Sequence, residues 1–335
     1  MIFVDNGNNY DASVNIALET YLVENKLVDE PILLFYINKP SIIIGRNQNT
    51  IEEVNQPYLD EHGIQVVRRM SGGGAVYHDL GNVSFCFIKD DDGSFRDFAS
   101  FTKPVIDALH KLGATGAELQ GRNDLLIDGK KFSGNAMYAK DGRMTAHGTI
   151  LFNSDLDEVN NALKPRKEKI ESKGIKSVRS RVTNIAPYVN DEYKSLSIEE
   201  FRDVLLLEIF GVQSKEEVPQ YMLTEEDWKK VYEIREQRFG NWDWNYGESP
   251  AFDIEKSKKF DFGFVDFRFN VVAGKVSSAK IYGDFFGLGD IKDVEDALID
   301  VRFTKEDFLA AFENIDVNKY FGRVTQEELM DLLFG

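Results

Sequence analysis

The sequence predicts a mixed α/β protein, with a large domain built on a mixed sheet and a smaller α+β domain after it. Three observations carry this expectation. Short β-branched and aromatic runs alternate with amphipathic helical stretches early in the chain, and two Asp-Gly pairs sit between strand-like segments. A tryptophan-rich junction then separates a helical stretch from a second, phenylalanine-rich set of strands and terminal helices. At 335 residues the chain is long enough for two or three cores.

In chain order, Asp11 or Ser13 caps a helix over about 12–25, with Val14, Ala17, Leu18, Tyr21 and Leu22 spaced to form one apolar face. PILLFYI and SIIIG read as strands on either side of Asn38-Lys39-Pro40. IQVVRRM and NVSFCFI bracket a glycine-rich turn, and a second helix covers about 98–112. Asp128-Gly129 and Asp141-Gly142 each predict a two-residue hairpin. The first hairpin sets Lys131 opposite Leu126 and Ser133 opposite Asp124, which would put Asp124, Lys131 and Ser133 on one face. The second sets Gly148 opposite Asn135 and leaves room on that face.

From about Leu196 the pattern turns helical, and Ser197 with Glu200 and Thr224 with Asp227 mark two helix starts. Trp242 and Trp244 precede Pro250, so the expected domains are 1–247, with 190–247 as a helical connector, and 248–335. Phe260, Phe262 and Phe264, then Phe267, Phe269 and Val271, alternate as strand residues, turn at Ala273-Gly274 and return to Tyr282. Three helices are expected at the end, two of them opened by Thr304 with Asp307 and Thr325 with Glu328.

Composition narrows the function. A formal charge of -17 disfavours a nucleic-acid backbone as partner. No apolar run is long enough to span a bilayer, and the start lacks a basic segment followed by an apolar one, so a cytoplasmic protein is expected. Cys86 is the sole cysteine, which rules out an internal disulfide and a cysteine-rich zinc site. One stretch opposes the acidic trend: between Lys164 and Arg181, eight basic residues face two acidic ones. That stretch is either a solvated face or a site for phosphate or an acidic partner.

The most informative segment is Arg68 to Asn82, RRMSGGGAVYHDLGN. Three glycines let backbone amides approach an anion while paired arginines balance its charge. The segment lacks the Gly-Lys-Ser/Thr ending of a Walker loop.

Together with Gly45-Arg46-Asn47-Gln48, Gly121-Arg122-Asn123-Asp124, Lys131 to Ala136, His147-Gly148-Thr149 and Lys173 to Asn184, this segment resembles lipoate-protein ligases. The motifs agree in order over nearly the whole chain. The resemblance implies a biotin/lipoate ligase-like catalytic domain with a C-terminal accessory domain, ATP and Mg2+, and a lipoyl-AMP intermediate. Matched position by position, it implies that Arg69, Gly74, Ala75, Val76, Tyr77, Asn123, Asp124, Lys131, Lys173 and Arg181 face ATP or the adenylate. It assigns Ser71, Gly72, Gly73, Val76, Lys131, His147 and Gly148 to lipoate. Lys131 would reach both the acyl carbonyl and the α-phosphate, where a fixed ammonium offsets the repulsion of two anions. Asp124 fits either a magnesium ligand or an ion-pair partner of Lys131.

The remaining motif residues carry bland expectations. His78 and His147 read as hydrogen-bonding residues rather than acid-base catalysts. Trp242 and Trp244 read as packing. The Lys173 to Asn184 segment matches the family's mobile loop over the adenylate, with acceptor docking as its other reading. Implied acceptors are lipoyl domains of 2-oxoacid dehydrogenases and the glycine-cleavage H protein. The rivals are an octanoyl transferase working through a Cys86 thioester, and a non-catalytic adenylate binder. A cysteine inside NVSFCFI reads as core, which weighs against the transferase.

Overall fold

The computed structural model describes residues 1–163, 181–246, 254–272 and 275–334. Lys173, most of the basic segment and the Ala273-Gly274 turn therefore lie outside the described residues.

An eight-stranded mixed sheet organises the larger part. Its strands are β1 (Ile2–Asp5), β2 (Ile32–Tyr36), β6 (Asn82–Asp90), β7 (Glu118–Gln120), β8 (Asp124–Ile127), β9 (Lys130–Lys140), β10 (Arg143–Leu151) and β11 (Gln220–Tyr221). They run in the order β11-β1-β2-β6-β10-β9-β8-β7. β1 is parallel to both of its neighbours and the other pairs are antiparallel. A second sheet is formed by β3 (Ser41–Ile44), β4 (Gln65–Arg68) and β5 (Val76–His78), with β3 in the centre.

Two apolar layers cover the large sheet. On one face, the helices Phe98–Lys111 and Ile198–Phe210 pack over Phe35, Phe85, Phe132 and Phe152. On the other, α1 (Ala12–Glu24) and the helix Glu225–Ile234 join β3, β4 and β5 through Ile43, Val67 and Val76. The expected caps form: Asp11 accepts from the Ser13 and Val14 amides, and Ser197–Glu200 and Thr224–Asp227 close capping boxes. α1 departs from the single apolar face read in its pattern, since every residue from Ala12 to Val23 is buried. It is wedged between two sheets, and its polar Asn15 and Glu19 find partners inside the protein.

Both Asp-Gly turns have positive φ at both residues, 50° and 71° at Asp128-Gly129 and 51° and 77° at Asp141-Gly142. This is the twist a two-residue hairpin needs. Lys131 pairs with Leu126 and Gly148 with Asn135, as the turns require. The first hairpin departs from a regular ladder one step later. A bulge makes Ser133 pair with Leu125 and Gly134 with Asp124, so Ser133 is buried and does not share the exposed face of Asp124 and Lys131.

The smaller part has an antiparallel sheet of β12 (Ile254–Phe260), β13 (Gly263–Val272) and β14 (Lys275–Gly283). The phenylalanine alternation is broken at Asp261-Phe262, which turn between two strands. Four helices follow among the described residues rather than three: Ile291–Ala297, Lys305–Phe312, Val317–Phe321 and Gln326–Phe334. The third is five residues long, too short to show a helical period in sequence. Phe267, Phe269, Phe285, Phe308, Phe312 and Phe321 make this part its own core. No helix among the described residues is long and apolar enough to cross a membrane.

Candidate active site

The two parts meet over a cavity of about 420 Å³. The glycine loop, β5, β6, β8, β9 and β10 form most of its wall, and Lys259, Phe260, Asp261, Asp284 and Phe286 of the smaller part close the rest. Its mouth holds Asp124 and Lys131, whose side chains are 41% and 37% exposed and joined at 2.8 Å. Its other end is buried, walled by Ile16, Tyr36, Ile43, His78, Ser84 and His147.

Lys131 reaches this place because β9 continues past the turn with Lys130 outward and Lys131 inward, as alternation along a strand requires. The Thr183 amide donates to the Lys131 carbonyl at 2.8 Å, and Val182 bridges to the same strand, which brings Arg181 to the cavity wall. Gly134 leaves room for the lysine, since a Cβ there would lie 3.0 Å from Nζ. Gly148 leaves room too, but for protein: a Cβ would lie 2.0 Å from Asn135 Oδ1 and 2.5 Å from the Phe85 ring.

The paired arginines have separate tasks. Arg68 is buried against carbonyls of Gly45, Arg46, Gln48 and Trp244, at 2.6–3.2 Å, and does not line the cavity. Arg69 lines it, yet its Nε donates to Ser71 Oγ at 2.9 Å and its terminal nitrogens donate to the carbonyls of Ile43, Gly72 and Gly74 at 2.6–3.1 Å. Burial lowers both guanidinium pKa values to about 10. Arg69 thus fixes the shape of the glycine loop from beneath.

Ser71 is held from the other side by a buried relay. Its Oγ lies 2.7 Å from His147 Nε2, and His147 Nδ1 lies 2.6 Å from Glu19 Oε1. His147 thus stands between Ser71 Oγ, which also accepts from Arg69 Nε, and the Glu19 carboxylate.

Of the residues assigned by resemblance, Arg69, Gly73, Gly74, Ala75, Val76, Asn123, Asp124, Lys131, His147, Gly148 and Arg181 line one cavity. Ser71 and Gly72 are not among its lining residues: Ser71 is buried and Gly72 packs close to the Phe285 carbonyl. Tyr77 points away, into the core under β3 and a separate surface cleft, because it is the middle residue of β5 between Val76 and His78. Trp244 packs as expected, with its indole N–H donating to the Arg68 carbonyl at 2.8 Å, whereas Trp242 is 58% exposed and stacks on Tyr246.

The sequence did not single out Arg122, whose guanidinium stands 4.4 Å from the Phe286 ring at the cavity wall, nor the contributions of Lys259, Asp284 and Phe286. Arg122 was visible within its motif. The others reach the site only through the packing of one part on the other.

Among the described residues no three His, Cys, Asp or Glu side chains converge as a metal site. Asp124 is the carboxylate beside Lys131, a donor set that suits an ion delivered on a nucleotide, because magnesium of that kind is held by one or two carboxylates plus phosphates. Cys86 is fully buried, 3.0 Å from Thr145 Oγ1, and burial with the nearby Glu19 charge pushes its thiol well above its ordinary value.

Known proteins resemble this chain in sequence and fold. Residues 11–210 match the lipoyl protein ligase A/B catalytic domain, and residues 249–333 match the bacterial lipoate protein ligase C-terminus. Lipoate-protein ligase LplJ of Bacillus subtilis is 50% identical over 335 residues, covering 100% of each chain. The structure of P. falciparum LipL1 in complex with lipoate superposes with a TM-score of 0.78 at 28% identity, covering 98% of this chain and 97% of that one. Lipoate-protein ligase A bound with ATP gives a TM-score of 0.59 at 26% identity, over 74% of this chain and 97% of that one. With both family models matched in order and half of all residues shared along the full length, the chain belongs to the lipoate-protein ligases.

Proposed function

We propose that this ligase joins lipoate to ATP as lipoyl-AMP, with release of pyrophosphate, and then passes the lipoyl group to a lysine of an acceptor protein. The observation that carries this is one cavity in which Gly73–Val76, Lys131 and Arg181 surround a polar mouth that leads to a buried, partly apolar end. A carboxylic acid with a long acyl chain and a nucleotide phosphate fit the two halves. The LipL1 relative binds lipoate and the ligase A relative binds ATP.

In the first half-reaction a lipoate carboxylate oxygen attacks the α-phosphorus and the bond to the β-phosphate oxygen breaks. Lys131 and Arg181 lower the repulsion between the two anions, and Lys131 exchanges Asp124 for the developing charge. Asp124 would hold a magnesium ion arriving with the nucleotide, which would supply further charge neutralisation. Gly74 and Ala75 take the nucleotide through their backbone, and Arg69 and the Ser71–His147–Glu19 relay hold the loop in place for it. In the second half-reaction a neutral acceptor amine attacks the carbonyl, AMP leaves, and the cavity wall shields the adenylate from water. We assign activation chiefly to residues 1–247 and an accessory role to 248–335. The acceptors are lipoyl domains, including those of 2-oxoacid dehydrogenases and the H protein, in the cytoplasm.

The buried Cys86 thiol counts against the transferase alternative, because a thioester route needs an accessible thiolate. Purified protein with ATP, magnesium, lipoate and a panel of unmodified acceptors, read by intact mass, tests the assignment. Acylation that depends on both ATP and lipoate supports it. Acylation from an acyl-protein donor without ATP refutes it.

A further inference from the structure

The buried end of the cavity contains a polar side chain with one nitrogen that no described residue partners. His78, on β5, lines the cavity, and its buried Nε2 has no partner among the described residues. Its other nitrogen is fixed by a chain of asparagines. Asn38 Nδ2 lies 2.9 Å from His78 Nδ1, Asn15 Nδ2 donates to Asn38 Oδ1 at 2.8 Å, and Asn6 Nδ2 donates to Asn15 Oδ1 at 2.9 Å.

The direction of this chain is not arbitrary. The Asn9 backbone carbonyl, which can only accept, receives the amide nitrogens of Asn6 and Asn15 at 2.9 and 2.8 Å. That sets the orientation of both amides, and with them Asn38, whose nitrogen must then donate to His78 Nδ1. An imidazole that accepts at Nδ1 carries its proton at Nε2. Asn6, Asn15, Asn38 and His78 are all at most 3% exposed, so water does not compete for these bonds. Burial, with Arg69 and His147 nearby, lowers the His78 pKa to about 3, which keeps the ring neutral in the working range.

We propose that His78 Nε2–H is a specificity-determining donor for the far end of the acyl substrate, where it meets a ring sulfur of lipoate and disfavours a saturated alkyl end. The proposal rests on lipoate being the acid activated here. Lys131 and Asp124 mark the mouth, where the carboxylate reacts, so the chain's other end lies against the buried wall of Ile16, Tyr36, Ile43, Ser84, His147 and His78. Sulfur is a weak acceptor but a polarisable one, and it offers this N–H a partner that a methylene cannot. A buried donor left unpaired costs binding, so the alkyl acid is discriminated against even where its shape fits.

The test compares lipoate with 5-cyclopentylpentanoate, whose ring has the same size and no sulfur, and with octanoate, by kcat/KM for ATP-dependent pyrophosphate release. The wild-type protein is expected to favour lipoate over the cyclopentyl acid by about tenfold or more. His78→Leu is expected to erase that ratio by losing lipoate efficiency while octanoate is used at least as well as before. Retained octanoate activity also reports that the variant is folded. In the wild-type protein, the His78 imidazole 15N resonances are expected to move with lipoate and not with the cyclopentyl acid, a readout that needs no variant. Equal use of lipoate and its carbocyclic analogue by the wild type, or an unchanged ratio in His78→Leu, overturns the proposal. Failure to activate any of the three acids refutes the ligase assignment itself.

Discussion

In the proposed mechanism Lys131 carries the chemistry because of where β9 places it. Its ion pair with Asp124 is more than a third exposed on both sides, so it contributes little to stability, at most about 1 kcal/mol. Lys131→Ala is therefore expected to leave the melting temperature nearly unchanged while lipoate-dependent pyrophosphate release falls by about a hundredfold or more, the scale for removing one charge-stabilising group. Cys86 is the reverse case, buried and chemically silent. Its raised thiol pKa predicts negligible alkylation by iodoacetamide in the folded protein at pH 8 and full alkylation in denaturant, and Cys86→Ser is expected to retain acylation. The cavity-lining places of Lys131, Asp124 and Arg69 were legible in sequence because their motifs are contiguous, and for Lys131 the Asp128-Gly129 turn fixes its pairing with Leu126. The His147–Glu19 pair was not, because its partners are 128 residues apart and meet only when α1 is buried against β10.

Among elements, the glycine loop is explained by what presses on it. A Cβ on Gly72 would lie 2.3 Å from the Phe285 carbonyl oxygen, and one on Gly45 would lie 1.9 Å from the Gly73 carbonyl oxygen. Gly73 has φ +94°, and a Cβ there would lie 2.9 Å from both the Arg69 guanidinium and the Phe286 ring. The glycines thus serve close packing as well as approach to an anion. Gly72→Val is expected to displace the loop or the smaller part and to reduce pyrophosphate release by more than about tenfold, with loss of kcat rather than a raised KM for the acceptor. The strands and caps around the loop were readable from alternation and Ser/Thr–Glu/Asp spacing. The bulge at Leu125–Leu126 was not, since nothing in the Lys131 to Ser133 stretch distinguishes a bulged ladder from a regular one.

At the scale of the molecule, two cores are joined across the cavity by a small set of contacts. Arg46 pairs with Asp290 at 2.9 Å, Arg96 donates to the Asn318 carbonyl at 3.1 Å, and the Gly283 amide donates to the Asn47 carbonyl. Phe286 packs edge-on against Phe98, 5.9 Å between centroids, and carries Arg122 on its face. Asp290 is 52% exposed, so its ion pair contributes little beside the Phe286 ring contacts. Phe286→Asp is expected to separate the parts, seen as a larger radius of gyration in small-angle scattering, with each core still folded. The two-part layout was legible from the WDWNYG junction and the change in strand pattern after it. The contribution of the smaller part to the cavity was not, because no local pattern records which surfaces of two folded units will meet.

The most direct test of the central claim is lipoate-dependent exchange of labelled pyrophosphate into ATP with no acceptor protein present. Exchange that requires lipoate, and that is lost in Lys131→Ala while the fold persists, is the expected result. No exchange by the wild-type protein, or undiminished exchange by Lys131→Ala, would contradict the account.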